Sequence, residues 1–388
     1  KLASSSFYET LVGDEEEKFE QFKLEHAHWL DDYVLFMAVA KSHQMRPWNS
    51  WDSDIATHKK AAINKAKKNY AQEIKLEYWL QYEFLNQWIA LKEYANTRGV
   101  RIIGDIPIFV DHNSADVWAN SKYFAVDKQG NRTLVSGVPP DYFSETGQLW
   151  GNPQYEWGAL EKDGYSWWVK RFKHMFLTCD AIRVDHFRGF DAYWEIPASE
   201  KTAVNGRWVK GPGEKFFDTI LKECGELPII AEDLCFVTEV VEKLRDKYAF
   251  PGMKIIQFAF DAESDNSFLP HNYPQNCVVD SGTHDNDTSK GWYEQAPEYE
   301  RHFARTYSQS DGTHINWAFI QLGMLSVGDQ AIFPLQDFMG LSTEHRMNFP
   351  GTSSGNWLWR YTTEMLQEID RNKICSLIHL STRYDRNK

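Results

Sequence analysis

Cysteine is scarce and unpatterned in this chain: five residues, at 179, 224, 235, 277 and 375, with no C-x-x-C spacing and no even framework. That excludes a disulfide-stapled scaffold or a zinc ribbon and points to reduced thiols in the cytoplasm. Basic excess is lacking too. A net charge of −13 at pH 7 removes nucleic acid and anionic membrane from the expected partners, since both need a basic face. No apolar run nears the ~20 residues of a membrane span, and no segment is repetitive or of low complexity. The first residues, Lys1-Leu-Ala-Ser-Ser-Ser, include no initiator Met and no apolar signal region. We therefore expect the chain to start inside a longer gene product.

What the chain has in surplus is aromatic side chains: 15% of its residues, with 16 Trp and 18 Tyr. Many must fill the core of a 388-residue protein that is 42% hydrophobic. The remainder suit a cleft that stacks on sugar rings while hydrogen-bonding their hydroxyls.

Residues 14–43 read as a helix with an acidic first turn, Asp14-Glu-Glu-Glu17. Residues 54–98 read as a long helical stretch in which Leu80, Phe84, Trp88 and Leu91 share a face, with Gly99 as its cap. We expect 1–99 to be a helical insertion subdomain. The texture changes at Val100-Arg-Ile-Ile-Gly-Asp105-Ile-Pro-Ile-Phe-Val110, a run too apolar to have a solvent face, as in a buried parallel strand. Similar runs recur at 180–185, 228–232, 254–260, 276–281 and 326–333. Helical patterns at 214–224, 238–247, 295–308 and 313–325 lie between most of them. This alternation predicts an α/β class and, over 100–388, a catalytic (β/α)8 TIM barrel. Residues 111–178 are rich in Gly, Pro, Asn, Asp and aromatics and too long for a plain βα loop. They predict a loop-rich insertion over the barrel mouth. Six barrel-type strands are counted where a closed barrel needs eight, which predicts that two N-terminal strands precede this chain.

Three of the runs end in carboxylates: Asp180-Ala-Ile-Arg-Val-Asp185, Leu227-Pro-Ile-Ile-Ala-Glu232-Asp233, and Val278-Val-Asp-Ser-Gly-Thr-His284-Asp285-Asn-Asp287. Barrel chemistry sits at the carboxyl ends of the strands. Asp185 stands two residues after Arg183, on the same strand face. An adjacent guanidinium favours the ionised carboxylate, which suits a nucleophile; a structural ion pair is the alternative. Glu232 emerges from an apolar strand, where a carboxyl keeps its proton to higher pH as a general acid requires. The alternative there is an acid at a helix N-terminus. Asp233 points to the opposite face. Asp285 sits too deep to cap the next helix, a task that falls to Asp287. Retaining glycosidases need two carboxyls ~5–5.5 Å apart, one as nucleophile and one as acid then base. A third can bind sugar hydroxyls and support the cation-like transition state, with His284 and Arg183 as donors. Three strand-end acids could instead cage Mg²⁺ in a metal-dependent barrel enzyme, but Arg183 would oppose the metal.

Longer motifs carry a family resemblance: Arg101-Ile-Ile-Gly-Asp-Ile-Pro-Ile-Phe-Val110, Ser114-Ala-Asp-Val-Trp-Ala119, the stretch Gly137 to Pro153, Ile182-Arg-Val-Asp-His-Phe-Arg-Gly-Phe190, Ile230-Ala-Glu-Asp-Leu234, Pro251-Gly-Met-Lys254, Gly282-Thr-His-Asp-Asn-Asp-Thr288, Arg346-Met-Asn348 and Asn356-Trp-Leu-Trp-Arg360. The chain resembles the amylomaltase, or disproportionating-enzyme, family of 4-α-glucanotransferases in the α-amylase clan. The resemblance implies Asp185 as nucleophile forming a covalent glucosyl-enzyme, Glu232 as acid/base and Asp285 as transition-state stabiliser. It implies Arg183 and His284 at the −1 sugar, and Asp141, Tyr142 and Phe143 in a loop over the cleft. Gln148, Trp150 and Asn348 become further substrate contacts, and Asp105 a supporting strand-end acid. It implies maltooligosaccharides, glucose and starch- or glycogen-derived glucans as partners, and no metal or organic cofactor. The absent N-terminal strands leave a non-catalytic glucan-binding remnant as the alternative. Cys235, where the family usually has Gly, and Asp280-Ser281 depart from the pattern without touching the three carboxylates.

Overall fold

A helix begins where Gly13, at φ 67°, turns into the four acids of the first turn, which face the positive end of the helix dipole. It runs over Asp14–Ser42, close to the expected limits. The computed structural model describes residues 13–140, 144–234, 237–261, 265–352 and 354–383. Cys235 and residues 141–143 lie outside these.

The 54–98 stretch is three helices, Ser53–Ala56, Lys60–Asn69 and Ala71–Asn96. His58 interrupts it with a left-handed φ of 54°, and Tyr70 links the second helix to the third. The expected apolar face is corrected as well. Phe19, Phe22, Leu30 and Val34 of the first helix pack on Trp79, Tyr82 and Leu85 of the third, whereas Leu80, Phe84 and Leu91 are exposed. This helix is apolar most of the way round, so tertiary packing and not periodicity chooses its inner face. Past its end, Gly99 adopts φ 75° and Val100 N returns to the Ala95 carbonyl at 3.0 Å.

Among the described residues ten strands follow: β1 (Ile103–Ile106), β2 (Leu134–Val138), β3 (Gln148–Pro153), β4 (Ala181–Val184), β5 (Ala192–Pro197), β6 (Arg207–Lys210), β7 (Ile229–Ala231), β8 (Gly252–Ile255), β9 (Cys277–Asp280) and β10 (Gln330–Ile332). The six apolar runs supply β1, β4, β7, β8, β9 and β10. The chain packs as two compact units, residues 1–229 and 230–388.

In the first unit β1 and β4 pair in parallel, with Asp105 beside Arg183 in the register. On the other side of β4, Ile182 N reaches the Pro228 carbonyl at the foot of β7 (3.0 Å). The 111–178 stretch is more ordered than a loop-rich insertion. It contributes β2 and β3 to an antiparallel sheet of order β3-β2-β5-β6, and its last helix, Ser166–Thr178, leads into β4. Gly137 is required in β2, because a Cβ there would stand 2.2 Å from the Gln148 carbonyl oxygen.

In the second unit β9 lies between β8 and β10, all parallel. Its four residues are fully buried, and Ile256, Phe260, Val279, Ile315 and Phe319 form the adjoining core. Among the described residues no helix is long and apolar enough to cross a membrane.

Candidate active site

In the first unit the β1–β4 register sets the candidate residues. Arg183 Nη1 donates to both oxygens of Asp105 (2.9 and 2.8 Å) and to Asp185 Oδ1 (3.1 Å). The guanidinium is sunk, its side chain 11% exposed, while the two carboxylates are 39% and 38% exposed. A fixed cation thus holds Asp185 from below, and its carboxylate stays partly exposed.

Beyond Asp185 the chain turns sharply. Asp185 N closes the ladder on the Ile106 carbonyl at 3.1 Å, and His186 takes a left-handed conformation (φ 49°, ψ 51°). Phe187 and Phe190 then stack on Phe217 and Phe216, with centroids 5.3 and 4.8 Å apart. An aromatic anchor therefore locks the turn that presents Asp185. Trp150 meets His186 edge to face at 4.9 Å and donates Nε1 to Gln148 Oε1 (3.1 Å), so these two expected substrate contacts support each other.

His186 is buried, and burial first, then the Arg188 guanidinium, push its imidazole down to about 4. Its unfolded value is ~6.5. Between these two values the unfolded chain binds more protons, so stability falls as pH drops through this window and is flat above it. The contribution should reach about 3 kcal/mol by pH ~4, read as urea midpoints against pH. Asn tolerates left-handed backbone, so His186→Asn should remove this share of the acid slope. An identical slope in the variant would assign the acid sensitivity to other groups.

In the second unit the candidate residues stand at the ends of β7 and β9. Glu232 leaves an entirely buried strand and is itself 8% exposed; its Oε1 accepts from Leu234 N at 2.9 Å. Asp233 turns the other way, as alternation requires. It pairs with Arg245 and accepts from Met253 N at 2.8 Å. Gly252 is part of that arrangement, since a Cβ there would lie 2.5 Å from Asp233 Oδ2.

After β9, a buried carboxylate pins both ends of the loop carrying Asp285. Asp337 accepts from Ser281 Oγ (2.5 Å), Ser289 N (2.8 Å) and Ser289 Oγ (2.6 Å). Asp285 itself is clamped: Asn348 Nδ2 donates to its Oδ1 (2.6 Å), Arg346 Nη2 donates to its carbonyl (2.5 Å), and His284 Nε2 lies 3.3 Å from its Oδ2. Arg346 Nε also holds the Asn348 carbonyl (2.8 Å). Asn348, expected at the substrate, thus touches the third carboxylate directly. The next helix is capped by Thr288, whose Oγ1 accepts from Gly291 N (3.0 Å). Asp287 does not cap it. One of its carboxylate oxygens accepts from Thr343 and Gln295.

Sequence reasoning assigned no role to Arg346, Asp337 or Trp357. The half-exposed indole of Trp357 lies 5.0 Å from the His284 ring. The Arg346-Met-Asn348 and Asn356-Trp357 motifs signalled importance without saying what they touch. Asp280, noted as a departure, is buried at the end of β9. The expected contacts Asp141, Tyr142 and Phe143 lie outside the described residues. Among the described residues no three side chains of metal-binding type cluster.

Comparison with known proteins places the chain in a family. A family model described as 4-alpha-glucanotransferase matches residues 1–366. The 4-alpha-glucanotransferase of Thermus thermophilus is 49% identical over 93% of this chain and 74% of its own length. That of a Synechocystis strain is 46% identical over 91% and 71%. Among solved structures, the amylomaltase of Streptococcus agalactiae in complex with acarbose superposes with a TM-score of 0.93 at 34% identity, covering 96% of this chain and 76% of that one. The amylomaltase of Corynebacterium glutamicum, at 16% identity and a TM-score of 0.76 over 97% and 58%, shares the fold. With its strand-end carboxylates on a barrel-type α/β frame, the chain belongs to the 4-alpha-glucanotransferase family, the amylomaltases acting on α-1,4-glucans.

Proposed function

We propose that this chain moves α-1,4-glucan segments between maltooligosaccharides by a retaining double displacement through a covalent glucosyl-enzyme. The observation that carries the reading is Asp185: a partly exposed carboxylate at a strand end, oriented by a sunk Arg183 that also binds Asp105. In the first half-reaction Asp185 bonds to the sugar C1 as the C1–O bond to the leaving sugar breaks, and Glu232 donates its proton to that oxygen. In the second, Glu232 takes the proton of an acceptor 4-hydroxyl, whose oxygen displaces Asp185 from C1. Asp285, held by Asn348 and Arg346, binds ring hydroxyls and steadies the positive charge that develops at C1.

Arg183, His284, Gln148, Trp150 and Asn348, with Asp141, Tyr142 and Phe143, are the proposed sugar contacts. Trp150 and the 141–143 loop would exclude water, which competes with the sugar acceptor for the intermediate. The acarbose held by the Streptococcus agalactiae relative supports an oligosaccharide ligand of this size class. Starch- and glycogen-derived glucans are the proposed sources of substrate. Residues 1–99 form the proposed helical subdomain beside the catalytic barrel of 100–388. Four free thiols among the described residues support a reducing, cytoplasmic setting.

Incubation with maltotriose should yield glucose and a ladder of longer maltodextrins. Glucose and maltose alone would make the protein a hydrolase. Binding without any product would make it a glucan-binding remnant.

A further inference from the structure

The first unit holds a second cavity, of about 280 Å³, between the helices Asp14–Ser42 and Ser166–Thr178 and beside the short helix Ala115–Ala119. Its side chains play no part in the reaction above, and its volume suits one or two sugar rings and no long ligand.

The walls are aromatic. Trp29 and Tyr33 stand 6.0 Å apart, centroid to centroid, on one helix, and Trp29 meets the His174 ring at 4.9 Å. Trp167 lines the opposite side and donates Nε1 to Asp116 Oδ1 at 3.0 Å. Arg171 lies over Trp168 and Trp167, at 4.8 and 5.3 Å, fixed by its bond to the Pro107 carbonyl at 2.7 Å.

The polar groups are only partly used. Among the described residues the Tyr33 hydroxyl, the Lys170 ammonium and the His174 imidazole enter no hydrogen bond and no ion pair, although all three line the cavity. Burial lowers the His174 pKa below its ordinary value, which keeps the ring neutral at pH 7. The carboxylates Asp32 and Asp116 balance the cations Lys170 and Arg171, so the lining has no net charge to attract an ion.

A ligand matching this surface is uncharged, has an apolar face for the indole and phenol rings, and carries several hydroxyls. Carboxylates accept from such hydroxyls, while ammonium and phenol groups donate to their oxygens. A pyranose ring has all three properties. We propose that this cavity is a second, non-catalytic sugar-binding site that holds one end of an α-glucan away from the reacting bond. The choice of glucan among neutral sugars rests on the reaction proposed above.

The test titrates the whole chain, carrying Asp185→Asn to prevent turnover, with maltotriose by calorimetry. Besides binding at the Asp185 site, we expect a second binding event that Trp29→Ala removes and that Tyr33→Phe or Lys170→Ala weakens about threefold to tenfold, the equivalent of one hydrogen bond. With Asp185 intact, the same substitutions should leave the maltotriose rate within about twofold and weaken retention on amylose about tenfold. Circular dichroism checks that Trp29→Ala folds; if it does not, Tyr33→Phe and Lys170→Ala decide. Maltotriose binding that all these variants leave unchanged overturns the proposal. A chain that binds maltotriose through Trp29 and Tyr33 yet forms no glucan ladder refutes the transfer reading and supports the second site.

Discussion

Asp185→Asn should reduce transfer from maltotriose by about 10⁴- to 10⁶-fold, the range seen when a residue at the centre of a covalent mechanism is lost. The amide cannot bond to the sugar C1, so no glucosyl-enzyme forms. The fold should be almost unaffected. Arg183 keeps both of its bonds to Asp105, and an Asn Oδ1 can still accept the bond that Asp185 Oδ1 now accepts at 3.1 Å. A partly exposed pair of this kind contributes ~0–1 kcal/mol, so the urea midpoint and circular dichroism spectrum should match those of the unmutated chain. A variant retaining more than about a hundredth of the rate, far outside that range, would remove Asp185 from the nucleophile role.

Glu232→Gln should cost about 10²- to 10⁴-fold with maltotriose, the usual contribution of a positioned acid/base. The loss should depend on the leaving group. Fluoride departs without a proton, so with α-maltosyl fluoride the first half-reaction should proceed at near its normal rate. The second should stall, because nothing removes the proton from the acceptor hydroxyl. Mass spectrometry of the intact variant should then detect the covalent adduct on Asp185. Equal losses with both substrates, and no adduct, would reassign Glu232 to binding. Gln offers the same Oε1 acceptor to Leu234 N, so the local turn has no reason to move.

The parts of this fold that could be read directly from the residues are those governed by short-range rules. Parallel strands announce themselves as apolar runs, and all six appeared near their expected places, although β1 and β10, each at the edge of its sheet, are largely exposed where a buried strand is expected. Arg183 and Asp185, two residues apart on a strand, had to share a side, and they touch. Glu232 and Asp233 had to diverge. Features set by distant packing were not readable. The helix Ala71–Asn96 buries Trp79, Tyr82 and Leu85 because of what faces them, and its own apolar pattern could not choose between stripes. Strands β2 and β3 each carry a glycine and gain their order from pairing, with β5 beside β2. The clamp on Asp285 comes from side chains 61 and 63 residues downstream, and no local pattern near Asp285 foretells it. Asp287 is of a residue type that often caps helices, yet Thr288, one residue later, caps this one.

The Asp285 clamp also sets an order in time. A ribosome releases Asp285 well before Arg346 and Asn348, and at ~5–20 residues per second that interval lasts roughly 3–12 s. Throughout it the nascent chain already carries all three carboxylates but lacks the side chains that hold the third. A growing chain therefore cannot complete the hold on Asp285 until that late segment has emerged and docked.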